Sequence, residues 1–186
     1  MDAMELLLGR ESALKLEGPG PTEAELDAMF RGALRAPDHG RLRPWQFVVV
    51  TEDRREAFGA LLAESMARRM PGVSADELAR ERGKAMRAPV IVVAAAKLAK
   101  GHKIPESEQM LSAGAAVQNL MLGANALGYG AMWKTGAPAY DTGVKRALGI
   151  DAEHEIVGFV YIGKQVGAGH PAPRPEPGDF VSVWTG

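Results

Sequence analysis

The sequence predicts an α+β protein in which a mixed β-sheet is flanked by helices. Short apolar, β-branched runs, such as residues 47–51 and 90–96, stand between amphipathic segments of helical periodicity. These segments do not alternate strictly, as they would in a doubly wound parallel sheet. The chain has 186 residues, no internal repeat and no dividing linker, so we expect one domain over residues 1–186.

The first half of the chain is predicted to hold four helices and two strands. The helices cover residues 2–8, 22–34, 52–70 and 74–86, and the strands cover residues 47–51 and 90–96. Thr22 with Glu25, and Ser74 with Glu77, have the spacing of a capping box, which marks a helix start. The runs of β-branched residues lack polar alternation and therefore predict buried strands. The charges of residues 74–86 predict an exposed helix.

The second half begins with the clearest helix, over residues 109–127, which is rich in Ala, Leu and Met and ends at Gly128. A strand at 129–133, a short helix at 140–148 and a last core strand at 156–163 follow. Prolines then recur at positions 171, 173, 175 and 177, which excludes a helix or a central strand. We expect residues 164–186 to form an extended arm that lies on a surface or stays disordered.

Composition excludes several classes of protein. The net charge of −1 gives no long-range attraction to nucleic acid or to an anionic membrane. The absence of cysteine excludes disulfides and thiolate metal sites, and no His-Glu-x-x-His motif is present, so no metal is expected. The acidic start of the chain lacks the features of a secretory signal, and residues 88–96 are too short an apolar run to span a bilayer. A cytoplasmic location is therefore predicted.

Residues 35–43 form a loop with an unusual concentration of positive charge. The loop holds Arg35, Arg41 and Arg43 together with His39. Like charges in one loop repel, so an anionic partner would stabilise it. The alternative is a solvated loop whose arginines pair with acidic residues elsewhere. His39 taken alone has the character of a surface histidine.

Arg10 and Ser12 follow the first predicted helix. A guanidinium and a hydroxyl at this spacing can bind one phosphate, although a solvated helix end explains the same residues. Downstream, Trp133 and Lys134 sit at a strand end, where an indole can stack on a conjugated ring and an ammonium can offset negative charge on it. The alternative is an edge-strand tryptophan beside a surface lysine.

Small residues in the helix at 109–127 allow either a flat ring or another backbone to come close. The alternative is ordinary tight packing of a buried helix, which these residues favour in the absence of other evidence. They are Ala113, Gly114, Ala116, Gly123 and Ala124.

In order, these segments resemble the nitroreductase family over nearly the whole chain, and its compact YdjA-type members most closely. The shared residues are Met1-Asp2-Ala3 with Leu6-Leu7, Arg10 and Ser12, Arg35-Ala36-Pro37-Asp38-His39, Pro44-Trp45, His102-Lys103 with Pro105, Ser112-Ala113-Gly114, Met132-Trp133-Lys134-Thr135-Gly136-Ala137 and Val157-Gly158-Phe159. The order and spacing of these motifs carry the resemblance, since none is specific alone.

The resemblance implies an intertwined homodimer with tightly bound, non-covalent FMN at the subunit interface. Arg10 and Ser12, with Glu11 between them, form the segment at the phosphate and ribityl end. Arg35 and His39 reach the flavin, His39 from across the dimer. Trp133, Lys134 and Thr135 lie beside the ring, and the proline-rich arm wraps the partner subunit.

The implied activity is hydride transfer from NADH or NADPH to flavin N5, followed by reduction of a nitroaromatic or similar electron-poor molecule. No side chain is assigned as catalytic, because the flavin carries the chemistry. Glu11 stands where many relatives have a second basic residue, and Leu14 where larger members have a cation near the ring. Lys134 is therefore the candidate that stabilises charge on the reduced flavin.

Two other functions are compatible with the same residues. One is a flavin-binding or sensing protein without turnover, and the other is a structural protein without a ligand. The sequence assigns no role to Arg41, Arg43, His102 or Lys103, and the last two are expected to be exposed.

Overall fold

The computed structural model describes residues 2–167, 169 and 173–186. A five-stranded sheet lies between two groups of helices. The elements in chain order are α1 (Ala3–Gly9), β1 (Leu16–Glu17), α2 (Glu23–Ala33), β2 (Trp45–Val50), α3 (Arg55–Arg69), α4 (Ala75–Gly83), β3 (Val90–Ala96), α5 (Glu106–Ala126), β4 (Gly130–Lys134), α6 (Thr142–Ala147) and β5 (Glu155–Gln165).

The long strand β5 organises the sheet. It pairs with β3, β4 and β1, and β3 pairs in turn with β2. Val160 of β5 lies opposite Val92 of β3 and opposite Trp133 of β4. The α+β class is confirmed. All four pairings of the described strands are antiparallel, which refines the mixed sheet that we predicted.

The sheet separates two hydrophobic cores, because successive side chains of a strand point to opposite faces. Even-numbered residues of β3, from Val90 to Ala94, pack in the core beside α2 and α5. Odd-numbered residues, from Ile91 to Ala95, pack in the core beside α3 and α6. All seven residues of β3 are buried, as its unbroken apolar sequence predicted.

Several predicted boundaries change for local reasons. The predicted helix at 52–70 starts with a 3₁₀ turn, Glu52–Arg54, before α3. The helix predicted at 140–148 is shortened to α6, because Asp141 caps it by accepting a hydrogen bond from the Val144 N–H. A 3₁₀ turn, Lys84–Arg87, follows α4, and β1 is a two-residue strand that no sequence pattern indicated.

One burial prediction is wrong. We expected a buried strand at 47–51, but among the described strands β2 pairs with β3 alone, and Val50 is its one buried residue. The exposed helix predicted at 74–86 is confirmed over most of α4, although Glu81 is buried and forms an ion pair with Lys84.

The arm is irregular over the residues that the structure describes. Residues 173–186 contain one 3₁₀ turn, Pro177–Asp179, and β5 includes the first two residues of the predicted 164–186 arm. Met1 and the predicted breaker Pro171 lie outside the described residues. Across the described ranges, the structure contains no helix of the length and apolarity needed to cross a membrane.

Candidate functional site

The segment of Arg10, Glu11 and Ser12 lies alongside the start of β4. The backbone is extended at Arg10 where α1 ends, and the Ala13 N–H donates to the Ala131 carbonyl at 3.0 Å. Arg10 is half-buried and Ser12 is exposed, and neither side chain pairs with any of the described residues. The guanidinium and the hydroxyl are therefore free to bind an anion.

Glu11 is held away from these two groups by the end of the sheet. Its Oε1 accepts a hydrogen bond from Gln165 Nε2 at 2.7 Å. The Arg174 guanidinium of the arm donates to the Arg10 carbonyl at 2.8 Å, so the arm returns to this segment. The Glu11 carboxylate is thus engaged in a hydrogen bond with the end of β5.

The basic loop is shaped by one of its own side chains. The Asp38 carboxylate accepts hydrogen bonds from the backbone N–H groups of Leu42, at 3.0 Å, and Arg43, at 2.8 Å. Arg41 and Arg43 adopt left-handed backbone conformations, with φ of 56° and 51°. Such strain in a non-glycine residue is uncommon and tends to occur at binding sites.

The loop is also attached to α5. Trp45 Nε1 donates to Ser112 Oγ at 3.1 Å, and this hydroxyl donates to the Pro37 carbonyl at 2.6 Å. His39 Nδ1 lies 2.6 Å from Glu108 Oε2. His39 is therefore oriented by a carboxylate rather than free on the surface.

The arginines of the loop have no acidic partners within the described part of the chain. Arg35, Arg41 and Arg43 are exposed, and none forms an ion pair there. The described residues therefore do not support the alternative in which these arginines pair with acidic residues elsewhere in the chain. An external anion remains the explanation that relieves their repulsion.

Trp133 packs on the α5 side of the sheet. Its Nε1 donates to the Val157 carbonyl at 3.1 Å, and a side chain at Gly158 would collide with the indole. A Cβ at Gly114 of α5 would lie 3.9 Å from the ring. Gly123, by contrast, lies so close to Met29 of α2 that ordinary helix packing explains it.

Lys134 points to the opposite side of the sheet from Trp133. Its side chain lines a cavity of about 360 Å³ next to α3 and the 3₁₀ turn Lys84–Arg87, and the exposed Thr135 lines the same cavity. This follows from alternation along β4, where Met132, two residues before Lys134, packs in the core beside α3.

The residues that the sequence predicted for the site therefore lie in two separate parts of this chain. One part runs along β4, and the other is the loop at 35–43. The segment 10–12 lies beside Ala131, and Lys134 lies three residues further along β4, about 10 Å away at the usual rise of a strand. Within the described residues, no hydrogen bond or ion pair joins Arg35 or His39 to either end of this strand. His102 and Lys103 are exposed, as expected, and His102 Nδ1 accepts from the Ile104 N–H at 3.1 Å.

Sequence reasoning missed several contributors, because their partners are far apart in the chain. Glu108 is 69 residues from His39, and Arg174 is 164 residues from Arg10. Glu108 also lay outside the helix predicted at 109–127, since α5 begins at Glu106.

Comparison with known proteins identifies the fold family. The model described as Nitroreductase family matches residues 7–164. The chain belongs to the nitroreductase family. It is 38% identical over 185 residues to the Escherichia coli (strain K12) protein called "Putative NAD(P)H nitroreductase YdjA", covering 99% of this chain and 100% of that protein. A Haemophilus influenzae protein called "Putative NAD(P)H nitroreductase" is 35% identical over 164 residues, or 88% of each chain.

Solved nitroreductases share the fold at lower identity. A nitroreductase-like family protein from Bacillus cereus matches with a TM-score of 0.85 and 21% identity, over 100% of this chain and 97% of that one. A nitroreductase with bound FMN from Bacteroides fragilis matches with a TM-score of 0.76 and 20% identity, over 99% and 100% of the two chains. The nitroreductase-like fold that we predicted is confirmed.

Proposed function

We propose that this nitroreductase-family protein is an FMN-dependent NAD(P)H oxidoreductase that reduces nitroaromatic or similar electron-poor small molecules. One observation carries the proposal: the side chains of Arg10 and Ser12 pair with none of the described residues and lie beside the strand that leads to Trp133, Lys134 and Thr135. The names of the relatives, which include NAD(P)H nitroreductases, and a structural neighbour with bound FMN support the same reaction class.

The residues present fit FMN as a ligand. A half-buried guanidinium and a nearby hydroxyl suit a phosphate, and the 10 Å or so to the end of β4 suits an elongated molecule. Arg10 and Ser12 would hold the phosphate end, and the backbone of residues 133–135 with the side chains of Lys134 and Thr135 would lie beside the ring. The bound flavin supplies hydride transfer between a nicotinamide and the acceptor.

Lys134 is the proposed group that offsets negative charge on the reduced flavin. It is half-buried, and no carboxylate among the described residues neutralises it. A cation near a reduced flavin stabilises that state relative to the oxidised one. No side chain is assigned as an acid, since water can protonate the product.

We further propose that the protein is an intertwined homodimer in the cytoplasm, with one domain per chain and an arm that wraps its partner. Among the described residues, no hydrogen bond or ion pair joins Arg35 or His39 to the segment 10–12 of their own chain, which supports their action on the partner's flavin. The arm exposes apolar side chains that a partner surface would cover. They are Phe180, Val181, Val183 and Trp184.

The test starts with the visible spectrum of the purified protein and mass spectrometry of the released cofactor. We expect FMN, bleaching on addition of NADPH or NADH, and recovery of colour when a nitroaromatic is added. FAD as the main species would contradict the proposal. FMN without turnover would favour the sensing protein, and a colourless protein that takes up no FMN would favour a structural role.

The shared site has its own test. The test uses an isolated heterodimer of one His39→Ala chain and one Arg10→Ala chain. If His39 serves the partner's flavin, both substitutions lie in the same FMN site and the other site is intact. FMN binding should then recover toward half of the wild-type amount. A heterodimer that regains no flavin would show that the two residues act from the same chain, and a monomer with stoichiometric FMN would exclude the shared site.

A further inference from the structure

The cavity that Lys134 enters is large enough for a small molecule. Its volume of about 360 Å³ lies within the usual range of ligand sites, roughly 300–1,000 Å³. Leu62 and Met66 of α3 and Phe159 of β5 line part of it. These side chains provide an apolar surface that suits a flat ring.

The remaining lining is strongly cationic. Arg69, Lys84, Arg87 and Lys134 line the cavity together with one carboxylate, that of Glu81. Lys84 Nζ lies 2.5 Å from Glu81 Oε2, so this buried carboxylate is already neutralised. In the described part of the chain, the other three cations pair with no carboxylate. An anion in the cavity would relieve their mutual repulsion.

Tyr161 adds an available hydrogen-bond donor. The residue lines the cavity and is 5% exposed, and its hydroxyl forms no hydrogen bond with a described residue. Burial raises the pKa of Tyr161, Arg87 lowers it and Glu81 raises it, with a net increase. The hydroxyl therefore stays protonated at neutral pH and can donate to an acceptor in the cavity.

We propose that this cavity binds a small aromatic carboxylate. The ring contacts Leu62, Met66 and Phe159, and the carboxylate meets Arg87 and accepts a hydrogen bond from Tyr161. A monoanion with a ring suits the site better than phosphate, which would leave the apolar lining uncovered and bring two charges toward Glu81. The cavity borders the proposed flavin position through Lys134 and Thr135, whereas Arg87 and Tyr161, which bind the carboxylate, are not assigned to the cofactor.

The experiment is a calorimetric titration of the full-length purified protein with benzoate. We expect one saturable site per chain and much weaker binding of benzyl alcohol, which keeps the ring and loses the charge. Arg87→Gln should weaken benzoate binding about tenfold, because a charge-assisted hydrogen bond is lost. Arg80→Gln, on an exposed position of α4, is the matched control and should leave the affinity unchanged.

A second variant keeps the test decisive if Arg87→Gln folds poorly. Ala137 is exposed and lines the cavity, so Ala137→Leu should fill it and reduce benzoate binding without removing a charge. Absence of saturable benzoate binding, or equal affinity in wild type, Arg87→Gln and Ala137→Leu, would overturn the proposal. Equal binding of benzyl alcohol would show an apolar cavity only, and equal binding of inorganic phosphate would show a charge effect only. Calorimetry does not depend on flavin colour, so either outcome leaves the oxidoreductase proposal to its own test.

Discussion

The basic loop at 35–43 and the segment of Arg10, Glu11 and Ser12 are proposed to bind the same anionic cofactor, yet the fold treats them differently. The loop is fixed by Asp38 from within and by Ser112 from α5. The segment is tied to β4 by one backbone hydrogen bond of Ala13, and its two binding side chains make no internal contacts among the described residues. A loop crowded with like charges therefore needs several internal hydrogen bonds to hold its conformation. A short extended segment needs only one backbone hydrogen bond to fix its position beside the sheet.

Because of this difference, mutations in the loop and mutations in the segment should have different effects on stability and on binding. Changes in the loop should destabilise the fold and reduce binding as a consequence, because preorganisation lowers the cost of ordering the site. Changes in the segment should reduce binding alone. The following experiments test that separation, from the largest expected effect to the smallest.

Arg10→Ala should weaken FMN binding by ten- to hundredfold without changing the melting temperature of the flavin-free protein. A hydrogen bond to a charged group contributes roughly 1.5–3 kcal/mol, and this guanidinium holds no described part of the fold together through its side chain. Fluorescence titration with FMN measures the affinity. Lys15→Ala, which removes an exposed cation that pairs with Glu17, is the control. A melting temperature that falls together with the affinity would remove the distinction between segment and loop.

Lys134→Ala should leave the affinity for oxidised FMN nearly intact and lower the midpoint potential of the flavin. The ammonium acts on the negative charge of the reduced state, whereas Arg10 acts on a phosphate that is charged in both states. A redox titration against a dye of known potential decides this. Equal potentials in variant and wild type would exclude Lys134 from the mechanism.

Asp38→Ala should reduce the free energy of unfolding by about 2 kcal/mol, because two backbone N–H groups lose a charged acceptor. The left-handed conformations of Arg41 and Arg43 would then lose their support. Urea denaturation of the flavin-free protein measures the loss. Asp76→Ala, which removes an exposed carboxylate from α4, is the control. Unchanged stability with weakened FMN binding would mean that Asp38 acts on the ligand directly.

Gly40→Ala should destabilise the protein by about 1–2 kcal/mol, since its φ of 72° is unfavourable for a residue with a Cβ. The added Cβ would also press on the Ile104 side chain. Gly101→Ala is the matched control, because Gly101 has a φ of 68° and nothing within 4 Å of its Cβ position. The difference in unfolding free energy between the two variants isolates the packing against Ile104, and equal losses would show that this contact is unimportant.

Arg174→Ala should change stability by less than about 0.5 kcal/mol, because its hydrogen bond to the Arg10 carbonyl is exposed. A small loss of FMN affinity, through a less ordered Arg10, is the result that would connect the arm to the segment. A loss as large as that of Arg10→Ala would mean that Arg174 binds the ligand itself.

Sequence patterns predicted the features that depend on neighbours along the chain. The capping boxes at Thr22 and Ser74 are confirmed, because their partners lie three residues away. The strand β3 is confirmed at the predicted residues, because burial on both faces leaves an unbroken apolar run. The basic loop was singled out by its charge density alone, and its role in binding an anion stays a prediction.

Features that depend on distant residues escaped prediction. The ion pair of His39 with Glu108 and the burial of Glu81 require the tertiary packing of α5 and α4. The single pairing of β2 depends on sheet order, which its composition does not encode. One feature was accessible and was overlooked: Trp133 and Lys134 are neighbours in a strand, so alternation alone places them on opposite faces.

Trp184, near the end of the arm, gives the protein an intrinsic fluorescence signal for the position of the arm. The chain has three tryptophans, and Trp45 and Trp133 are half-buried with their indole N–H groups hydrogen-bonded. Trp184 is 90% exposed, so aqueous iodide would quench its fluorescence in preference to that of the other two. If the arm packs on a second subunit, this emission shifts to the blue and becomes protected from iodide. Dissociation of the dimer on dilution can then be followed by the wavelength of the Trp184 emission, without an added label.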